Sequence, residues 1–438
     1  MLPEYDLIVI GSGPGGNNAA WTAAKLGKKV LIVEKDEVGG ICLNRGCMPT
    51  KAIVASAELF SNAKRAGKFG LKIENPSFEW KDIIERKNRI VQKLRKGLEF
   101  SFKNLGIDVI KGIGHIKEPG CVEIDPLCGL PLGKGETESR SDRDGRGGMR
   151  ISAAAIIIST GSENKRIPGL DNAITSDEAL NLPELPKSIT IIGSGAIGIE
   201  FACIFNTFGV DVTVIEMMPQ ILPGMDEEIS KSLEQILKRK GIKIQTNTKF
   251  DTGPLTLDPG PILSAIGRTF KKIEVNERLQ TKDKGVYAVG DVTGVSTYAH
   301  SAAMQGIVAA KNICGIDAVM DYSAMPACVF ASPEVATVGL SEKQAKEKGL
   351  DIKVSKENFA AVGKFMTLGE REGFIKIIAD KKSGKLIGCQ IIGHGATDLI
   401  AEAGLAIKNG LTAEDISKTI HAHPTLPEAI WEAAGGLL

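Results

Sequence analysis

Two cysteines five residues apart, Cys42 and Cys47, are the strongest chemical signal in the sequence. Residues five apart in a regular helix lie about 8–9 Å from each other, whereas a disulfide requires Cα atoms within about 7 Å. Three glycines surround the pair, Gly39, Gly40 and Gly46, and they permit the tighter backbone that a bridge needs. We therefore predict that the two cysteines form a redox-active pair.

The residues after the pair predict the start of a helix. Pro49 is tolerated in the first turn of a helix, so we expect the helix to begin near Cys47. A thiol at a helix N-terminus is biased toward the thiolate. Two alternatives stay open from the spacing alone. The cysteines could simply be buried, as cysteine often is, or form half of a zinc site, although Cys-x4-Cys is an unusual ligand spacing and no second Cys/His pair lies nearby.

A second chemical signal lies in the tail, at His423 and Glu428. Pro424 keeps His423 out of helical geometry and presents its side chain at a turn. Thr425 and Glu428 match a T-x-x-E capping box, so one interpretation is that Glu428 serves merely to cap a helix. Alternatively, Glu428 orients and charges His423, which makes the histidine a general base. Both interpretations stay open, whereas for His421 a structural role is favoured.

A dinucleotide-binding fingerprint precedes the cysteines, and we expect it to position them. Its parts follow in the required order: a strand (residues 7–10), G-x-G-x-x-G (Gly11, Gly13, Gly16), a helix (residues 17–26), a strand (residues 30–33) and an acid (Glu34). The glycines let the backbone approach a pyrophosphate at the helix N-terminus. Glu34 takes the place where a carboxylate bonds a ribose hydroxyl.

The same fingerprint occurs a second time. Its parts are a strand (residues 189–192), three glycines (Gly193, Gly195, Gly198), a helix through Phe208, a strand (residues 212–215) and an acid (Glu216). Two nucleotide sites in one chain indicate that two cofactors meet. Glu216 favours a ribose with a free 2′-hydroxyl, because a carboxylate repels a 2′-phosphate, and Met217 and Met218 supply no cation. We therefore expect NAD rather than NADP at this site.

Composition sets the class of protein. The 438 residues allow two to four domains. A net charge of +1 gives no electrostatic case for nucleic acid or an anionic membrane. Eight cysteines are sparse for this length and suggest a reducing compartment. A strand is expected from Tyr5 onward, which leaves no room for a signal peptide, and apolar runs such as residues 153–158 are too short for a membrane span. A soluble, cytoplasmic protein is expected.

Four segments between the motifs carry further expectations. Residues 52–105 are expected to be helical, and the charged run 81–96 is expected to form a solvated face. Residues 134–148 are rich in charge and glycine, which predicts a long mobile loop. Residues 246–261 are scarcely long enough for one pair of short strands. A composition shift near Asp321 predicts a separate C-terminal domain.

On these motifs the chain resembles the flavin-dependent pyridine nucleotide–disulfide oxidoreductases, and among them those that oxidise dihydrolipoamide. The resemblance covers nearly the whole chain and rests on both fingerprints, residues 39–51, residues 159–161, residues 265–268, Gly290–Asp291 and the His423–Glu428 tail. It implies an α/β fold with two Rossmann-like dinucleotide-binding domains and a C-terminal α+β dimerisation domain. The implied domains are an FAD domain (residues 1–166 and 279–320), a shortened NAD domain (residues 167–278) and a dimerisation domain (residues 321–438).

The resemblance also implies roles for individual residues. FAD would be held by Gly11, Gly13, Gly16, Glu34, Lys51, Thr160, Gly161 and Asp291, and NAD by Gly193, Gly195, Gly198, Glu216 and Gly267. Cys47 would be the sulfur against the flavin and Cys42 the thiol that exchanges with substrate. Lys51 would lie beside the flavin ring. His423 and Glu428 would reach the cysteines of a partner subunit, which makes the protein a homodimer; no metal site is expected.

The implied reaction is oxidation of a dihydrolipoyl group with reduction of NAD⁺. The partner would be the lipoyl-bearing domain of a 2-oxoacid dehydrogenase or glycine cleavage complex. Thiol–disulfide exchange needs a thiolate, and His423 can take the proton near neutral pH. The alternatives are a related FAD enzyme with another disulfide substrate or a non-NAD electron partner, and a flavin-binding structural subunit. Residues 246–261 are shorter than the corresponding part of the family, which leaves use of NAD open.

Overall fold

The structure, a computed structural model, describes residues 3–126, 149–250 and 260–438. Two compact units make up the chain. The first contains Met1–Ala52, Ile84–Asn164 and Arg268–Met320; the second contains Ile53–Ile83, Lys165–Gly267 and Asp321–Leu438. The loop expected over residues 134–148 lies outside the described residues, and so does most of the short segment 246–261. The three-domain division stays a prediction.

The strands vary in length, and only some of them are separated by a helix along the chain. They are β1 (Tyr5–Ile10), β2 (Val30–Glu34), β3 (Asp108–Glu118), β4 (Cys121–Pro126), β5 (Met149–Ile158), β6 (Glu163–Asn164), β7 (Ser188–Ile192), β8 (Asp211–Ile215), β9 (Lys243–Gln245), β10 (Ile262–Ser264), β11 (Arg268–Thr269), β12 (Val286–Ala288), β13 (Ala327–Val329), β14 (Val335–Gly339), β15 (Ile352–Asn358), β16 (Phe374–Asp380) and β17 (Leu386–Ile392).

The helices vary widely in length. They are α1 (Pro14–Lys25), α2 (Gly40–Asn44), α3 (Cys47–Arg65), α4 (Trp80–Asn104), α5 (Ser176–Ala179), α6 (Ala196–Thr207), α7 (Glu227–Arg239), α8 (Ala299–Ile313), α9 (Glu342–Glu347), α10 (Gly363–Thr367), α11 (Ala396–Lys408), α12 (Ala413–Lys418) and α13 (Glu428–Gly435). Short 3₁₀ turns are added at Ala66–Phe69, Asp291–Thr293 and Phe359–Ala361.

A parallel sheet in the order β3-β2-β1-β5-β12 forms the centre of the first unit. Strands β3 and β5 continue beyond it and pair antiparallel with β4. Alternate side chains of β1 enter two different cores. Leu7 and Val9 pack with residues of α1, α4 and α8, whereas Ile8 and Ile10 pack against β4 and β5. Because both faces of the sheet are covered, its strands read as unbroken apolar runs.

The described residues of the second unit form two sheets. One is parallel, in the order β10-β7-β8-β9. The other is antiparallel, in the order β13-β14-β17-β16-β15, and one face of it packs with α11, α12 and α13 in a single apolar core. Each sheet thus buries an apolar face under helices, which is the expected two-layer arrangement.

Two expectations for residues 52–105 are confirmed only in part: residues 52–69 and 80–104 are helical, and most residues of the run 81–96 are exposed. Residues 70–79 are not helical and separate the 3₁₀ turn from α4. The charged run 81–96 is not wholly solvated either, because Lys87 is only 3% exposed and its burial lowers the pKa of its ammonium. Charge runs report local composition, whereas burial of one member depends on what packs against the helix.

A buried ion cluster holds α7 to β16 in the second unit. The Nζ of Lys376 lies 2.8 Å from Asp226 Oδ1 and 3.1 Å from Glu228 Oε2, and the side chains of Lys376 and Asp226 are 4% and 5% exposed. Asp226 also caps α7 by accepting hydrogen bonds from the N–H groups of Glu228 and Ile229. Burial acts to lower the pKa of Lys376, but its two carboxylate partners outweigh burial and raise it.

We expect Lys376→Met to lower the free energy of unfolding by about 3–5 kcal/mol, because it leaves a carboxylate buried without its cation. Lys356→Met is the matched control: Lys356 also bonds Glu228, at 2.6 Å, but is 39% exposed, so its loss is worth about 1 kcal/mol or less. Denaturant unfolding of the two variants measures the difference. Equal destabilisation would contradict a special role for the buried cluster.

Candidate active site

The cysteine pair lies at the junction of two helices in the first unit. Helix α2 ends at Asn44 and α3 begins at Cys47, where the sequence predicts a helix to start. The Cys42 and Cys47 side chains are hydrogen bonded to each other, and this contact, together with burial, raises the pKa of the Cys42 thiol. The positive charge of Lys51, one turn after Cys47, opposes that rise. The two sulfurs are thus close enough for thiol–disulfide chemistry with one another.

This redox loop (residues 39–51) is seated on the first fingerprint. Gly40 has φ +61°, and a Cβ on it would lie 2.7 Å from the Cα of Gly13, so no side chain fits there. The hydroxyl of Ser12 accepts a hydrogen bond from Gly39 N at 3.0 Å. Backbone approach this close is possible only between glycines. The cysteine pair is thereby fixed next to the turn that would hold a pyrophosphate.

The first fingerprint has the form of an anion cradle. A Cβ on Gly11 (φ +97°) would lie 2.3 Å from Ser159 O, and one on Gly16 would lie 2.0 Å from Gly11 O, so both glycines are needed for packing. Gly13, by contrast, faces open space. No side chain caps the N-terminus of α1, which leaves the N–H groups of its first turn for a ligand.

The second fingerprint repeats this geometry in the second unit. A Cβ on Gly193 (φ +98°) would lie 2.5 Å from Ala265 O, and one on Gly198 would lie 2.0 Å from Gly193 O. Gly195 faces open space, as does Gly267 (φ +99°). No side chain caps α6. Both cradles therefore fit a dinucleotide pyrophosphate at the N-terminus of a helix.

The two acids at the strand ends are held in the same way. Glu34 Oε2 accepts hydrogen bonds from the N and Oγ of Ser12 at 2.8 and 2.6 Å, and Glu216 Oε2 accepts them from Ser194 at 2.8 Å each. A backbone N–H two residues after each acid donates to Oε1, at 2.9 and 2.8 Å. Among the described residues, each Oε1 keeps one acceptor position for a ribose hydroxyl.

Asp291, the other acid expected at the first cofactor, lies in a polar network within the first unit. Ser162 donates its hydroxyl proton to Asp291 Oδ2. Arg268 donates to the Oγ and O of Ser162 at 2.6 and 2.8 Å and lies 3.8 Å from Asp291. At the end of β5, Thr160 is exposed and Gly161 (φ +69°) faces open space. This carboxylate is thus fixed from one side by a hydroxyl and a guanidinium.

The tail brings His423 and Glu428 together. His423 Nδ1 lies 2.7 Å from Glu428 Oε1, while Glu428 Oε2 accepts a hydrogen bond from Thr425 N, also at 2.7 Å. The predicted capping box is only half formed, because α13 begins at Glu428 and has no side-chain cap. One Glu428 oxygen therefore holds the backbone of the preceding turn and the other holds the histidine. Both contacts lower the pKa of Glu428, the histidine most strongly. The His423 side chain is 79% exposed, which leaves its Nε2 open to a substrate.

His421 is a buried, structurally held histidine, as the sequence favours. Its Nε2 lies 2.9 Å from Glu402 Oε1 and its Nδ1 lies 2.9 Å from Thr419 O. Both partners are acceptors, so the ring satisfies them fully only when both nitrogens carry protons. Burial acts to lower the pKa of His421, but the bonds to Glu402 and Thr419 outweigh burial and raise it.

The raised pKa of His421 makes stability depend on pH. A group whose folded pKa exceeds its unfolded value of about 6.5 stabilises the protein below that value. Its contribution is lost as pH rises through the folded pKa. We expect the midpoint of thermal unfolding to fall as pH rises from about 6.5 through the folded pKa of His421. The fall should be smaller in Glu402→Gln. Glu414→Gln, at an exposed acid paired with Lys418, should keep the unmutated profile; identical profiles for all three proteins would contradict the assignment.

The described ranges contain neither a metal-binding cluster nor a membrane-spanning helix. Within residues 3–126, 149–250 and 260–438, no cluster of three or more His, Cys, Asp or Glu side chains is arranged to hold a metal ion. Within the same ranges, no helix has both the length and the apolar character needed to cross a membrane. Neither finding bears on the segments outside these ranges.

Sequence reasoning missed residues that orient the predicted ones. Ser12 and Ser194 hold the two acids, and Ser162 holds Asp291. A signal exists for the first two, because both fingerprints read G-S-G and both acids follow the serine by 22 positions. No local pattern identifies Ser162, whose partner is 129 positions away.

Comparisons with known proteins agree with this geometry. A family model described as pyridine nucleotide-disulphide oxidoreductase matches residues 5–253. The model of that family's dimerisation domain matches residues 325–434. A third model, described as glucose inhibited division protein A, matches residues 267–316.

Individual relatives match over the whole chain. A dihydrolipoyl dehydrogenase of Bacillus subtilis is 39% identical, with 99% of this chain and 98% of the relative covered. One of Chlamydia pneumoniae is 37% identical, with 100% and 97% covered. The crystal structure of LpdA from Mycobacterium tuberculosis superposes with a TM-score of 0.87 at 24% identity, covering 99% of both chains, which supports the α/β fold. The chain belongs to the pyridine nucleotide-disulphide oxidoreductase family.

Proposed function

We propose that this protein oxidises the dihydrolipoyl group to its disulfide and reduces NAD⁺, with FAD as the resident cofactor. The observation that carries the proposal is the Cys42–Cys47 pair seated on an open dinucleotide cradle, with Gly40 against Gly13. Relatives named dihydrolipoyl dehydrogenase over the full length of the chain support it.

The cradles fit the two cofactors that the proposal requires. The N-terminus of α1, with Glu34, Lys51 and Asp291, would hold FAD. The N-terminus of α6, with Glu216 and Gly267, would hold NAD. FAD, when bound, supplies the two-electron chemistry that connects a dithiol to a nicotinamide. Glu216 and the uncharged Met217 beside it favour NAD over NADP, because they offer a hydroxyl acceptor and no cation for a 2′-phosphate.

The cysteines carry the exchange with substrate. One substrate thiolate attacks Cys42 Sγ of the oxidised pair, and Cys47 leaves as a thiolate. The second substrate sulfur then attacks the first, which closes the substrate disulfide and releases Cys42. Two electrons thus pass from the substrate dithiol to the cysteine pair, which ends reduced. Both cysteines are half-buried.

His423 handles the protons that the substrate releases. Since Nδ1 faces Glu428, Nε2 is the nitrogen that accepts a proton from each substrate thiol, and it passes the first proton to solvent before it accepts the second. The carboxylate of Glu428 stabilises the imidazolium that forms and fixes the direction of the ring. No other group needs to change its protonation state in the first step.

A homodimer completes the proposal, with His423 acting on the cysteines of the partner subunit. Its support is the match to the family's dimerisation domain over residues 325–434 and a set of exposed apolar side chains there. Ile420 is 97% exposed, Leu405 64% and Trp431 40%. Exposed apolar side chains grouped near one site indicate an interface. The lipoyl-bearing domain of a 2-oxoacid dehydrogenase or glycine cleavage complex is the proposed partner, and a cytoplasmic location stays a prediction.

Steady-state kinetics test the proposal. Purified protein with bound flavin should reduce NAD⁺ with dihydrolipoamide. Its rate with NADP⁺ should be at least about tenfold lower, because Glu216 repels the 2′-phosphate. Glutathione disulfide with NADPH should give no turnover. Turnover with glutathione disulfide but none with dihydrolipoamide would favour the alternative, a related reductase with another disulfide substrate.

A further inference from the structure

We propose that Arg95 of α4 is a positioning residue for the Cys42–Cys47 pair and that it acts through Asn44. The proposal deepens the proposed function, since it concerns the same redox loop. It rests on contacts within the first unit alone.

Asn44 lies between the two cysteines and has all its polar atoms engaged. Its Nδ2 donates to the carbonyls of Val38 and Gly40 at 3.0 and 2.9 Å, with a longer contact to Glu37 O at 3.2 Å. These bonds tie the end of α2 back to the segment that enters it. The amide therefore fixes the backbone immediately before Cys47.

Arg95 holds the other end of that amide. Its Nε and Nη2 donate to Asn44 Oδ1 at 3.1 and 2.9 Å, and its Nη1 lies 3.1 Å from Glu37 Oε2. The guanidinium thus bonds at once to the residue between the cysteines and to the residue that precedes the loop. Only a planar fork of donors can make this set of bonds from one side chain.

A second arginine of α4 holds the chain beyond the pair. Arg86 Nη1 donates to the carbonyl of Ala52 in α3 at 2.7 Å. Arg86 and Arg95 are nine residues apart, which is two and a half helical turns. One rigid helix thus grips the chain between the cysteines and again five residues after Cys47. A single rigid support of this kind keeps a reactive geometry constant through a reaction cycle.

The consequence concerns how tightly the sulfurs are held. A disulfide forms and breaks within a narrow range of Cα separations. Arg95 limits local opening of the loop, which limits access to the half-buried Cys42 and keeps Cys47 in a constant position.

The test compares Arg95→Leu with Arg89→Leu in the flavin-loaded protein. Arg89 lies on the same helix but is 70% exposed, and its one ion-pair partner among the described residues is Glu85, at 3.8 Å. With iodoacetamide as the probe, alkylation of Cys42 in the reduced protein should be at least about tenfold faster in Arg95→Leu. Loss of one charge-assisted hydrogen bond makes local opening of the loop more frequent by about this factor. The long-wavelength absorbance of the reduced flavoprotein should also weaken. Arg89→Leu should leave both unchanged.

Arg95→Lys separates the charge from the fork, because lysine keeps the charge but cannot donate from three nitrogens. It should resemble Arg95→Leu. Unmutated alkylation rates and absorbance in Arg95→Leu or in Arg95→Lys would overturn the proposal. Measuring the alkylation rate does not require turnover, so it detects loss of positioning even if dihydrolipoamide is not the substrate. Failure of the proposed function is detected separately, as absence of dihydrolipoamide oxidation by the unmutated protein.

Discussion

Cys47→Ser is expected to abolish both the oxidation of dihydrolipoamide and the long-wavelength absorbance that a thiolate gives beside an oxidised flavin. Serine cannot form the disulfide that accepts the substrate's electrons, and its alkoxide is not populated near neutral pH. Flavin binding should persist, because the cradle at Gly13 and the N-terminus of α1 do not involve this side chain. Anaerobic reduction followed by absorbance spectroscopy measures the effect.

Cys42→Ser separates the two sulfurs. It should also end turnover, but the reduced protein should keep the long-wavelength absorbance, since the Cys47 thiolate remains. Cys121→Ser, at a half-buried cysteine elsewhere in the first unit, should change neither property. Absorbance that survives in Cys47→Ser and disappears in Cys42→Ser would reverse the roles proposed for the two residues.

His423→Gln is expected to slow dihydrolipoamide oxidation by about 10²–10⁴-fold, the usual contribution of a general base. Glutamine keeps a polar side chain near Glu428, 2.7 Å from the ring in the unmutated protein, but it cannot accept a proton. The flavin should remain bound, and its reduction by NADH should be nearly unchanged because that step requires no proton from a dithiol. Stopped-flow measurement with each reductant separates the two steps.

His115→Gln is the matched control, since His115 is also an exposed histidine near a carboxylate, 3.2 Å from Asp125, but belongs to β3 of the first unit. It should behave as the unmutated protein does. A dithiol rate in His423→Gln within a few-fold of the control would show that His423 only supports the turn. An equal loss with NADH would point to damage of the fold rather than to loss of a base.

Local patterns in the sequence predict much of the architecture. Strand β1, helix α1 and strand β2 follow from one apolar run, a glycine fingerprint and a second apolar run, because each signal lies within the element that it specifies. The start of α3 at Cys47 follows from Pro49 in the same way. The family and the α/β fold predicted from these motifs are confirmed.

Long-range partners could not be predicted. The sequence treats the run 81–96 as a charged surface, yet Lys87 is buried and Arg95 holds the redox loop 51 positions away. Lys376 likewise lies in an apolar strand pattern, and only the fold brings it to Asp226, 150 positions away. Spacing within a helix or strand gives the face on which a residue lies, but it does not give what packs against that face.

The roles assigned to individual site residues stay predictions, and the geometry narrows them. The tail illustrates this, because the sequence offers Glu428 either as a helix cap or as a partner of His423. The structure shows the bond to His423 and, in place of a full capping box, only a bond from the Thr425 N–H. For the second cofactor, the cradle around Gly195 and Glu216 is complete.

Anaerobic titration of the purified flavoprotein, with dihydrolipoamide and separately with NADH, tests the central claim most directly. The account predicts that both reductants give the same two-electron-reduced spectrum with long-wavelength absorbance, because both supply electrons to one cysteine pair beside the flavin. Reduction by the dithiol alone would keep the disulfide chemistry and exclude NADH as the electron partner. Reduction by neither would contradict the proposed function.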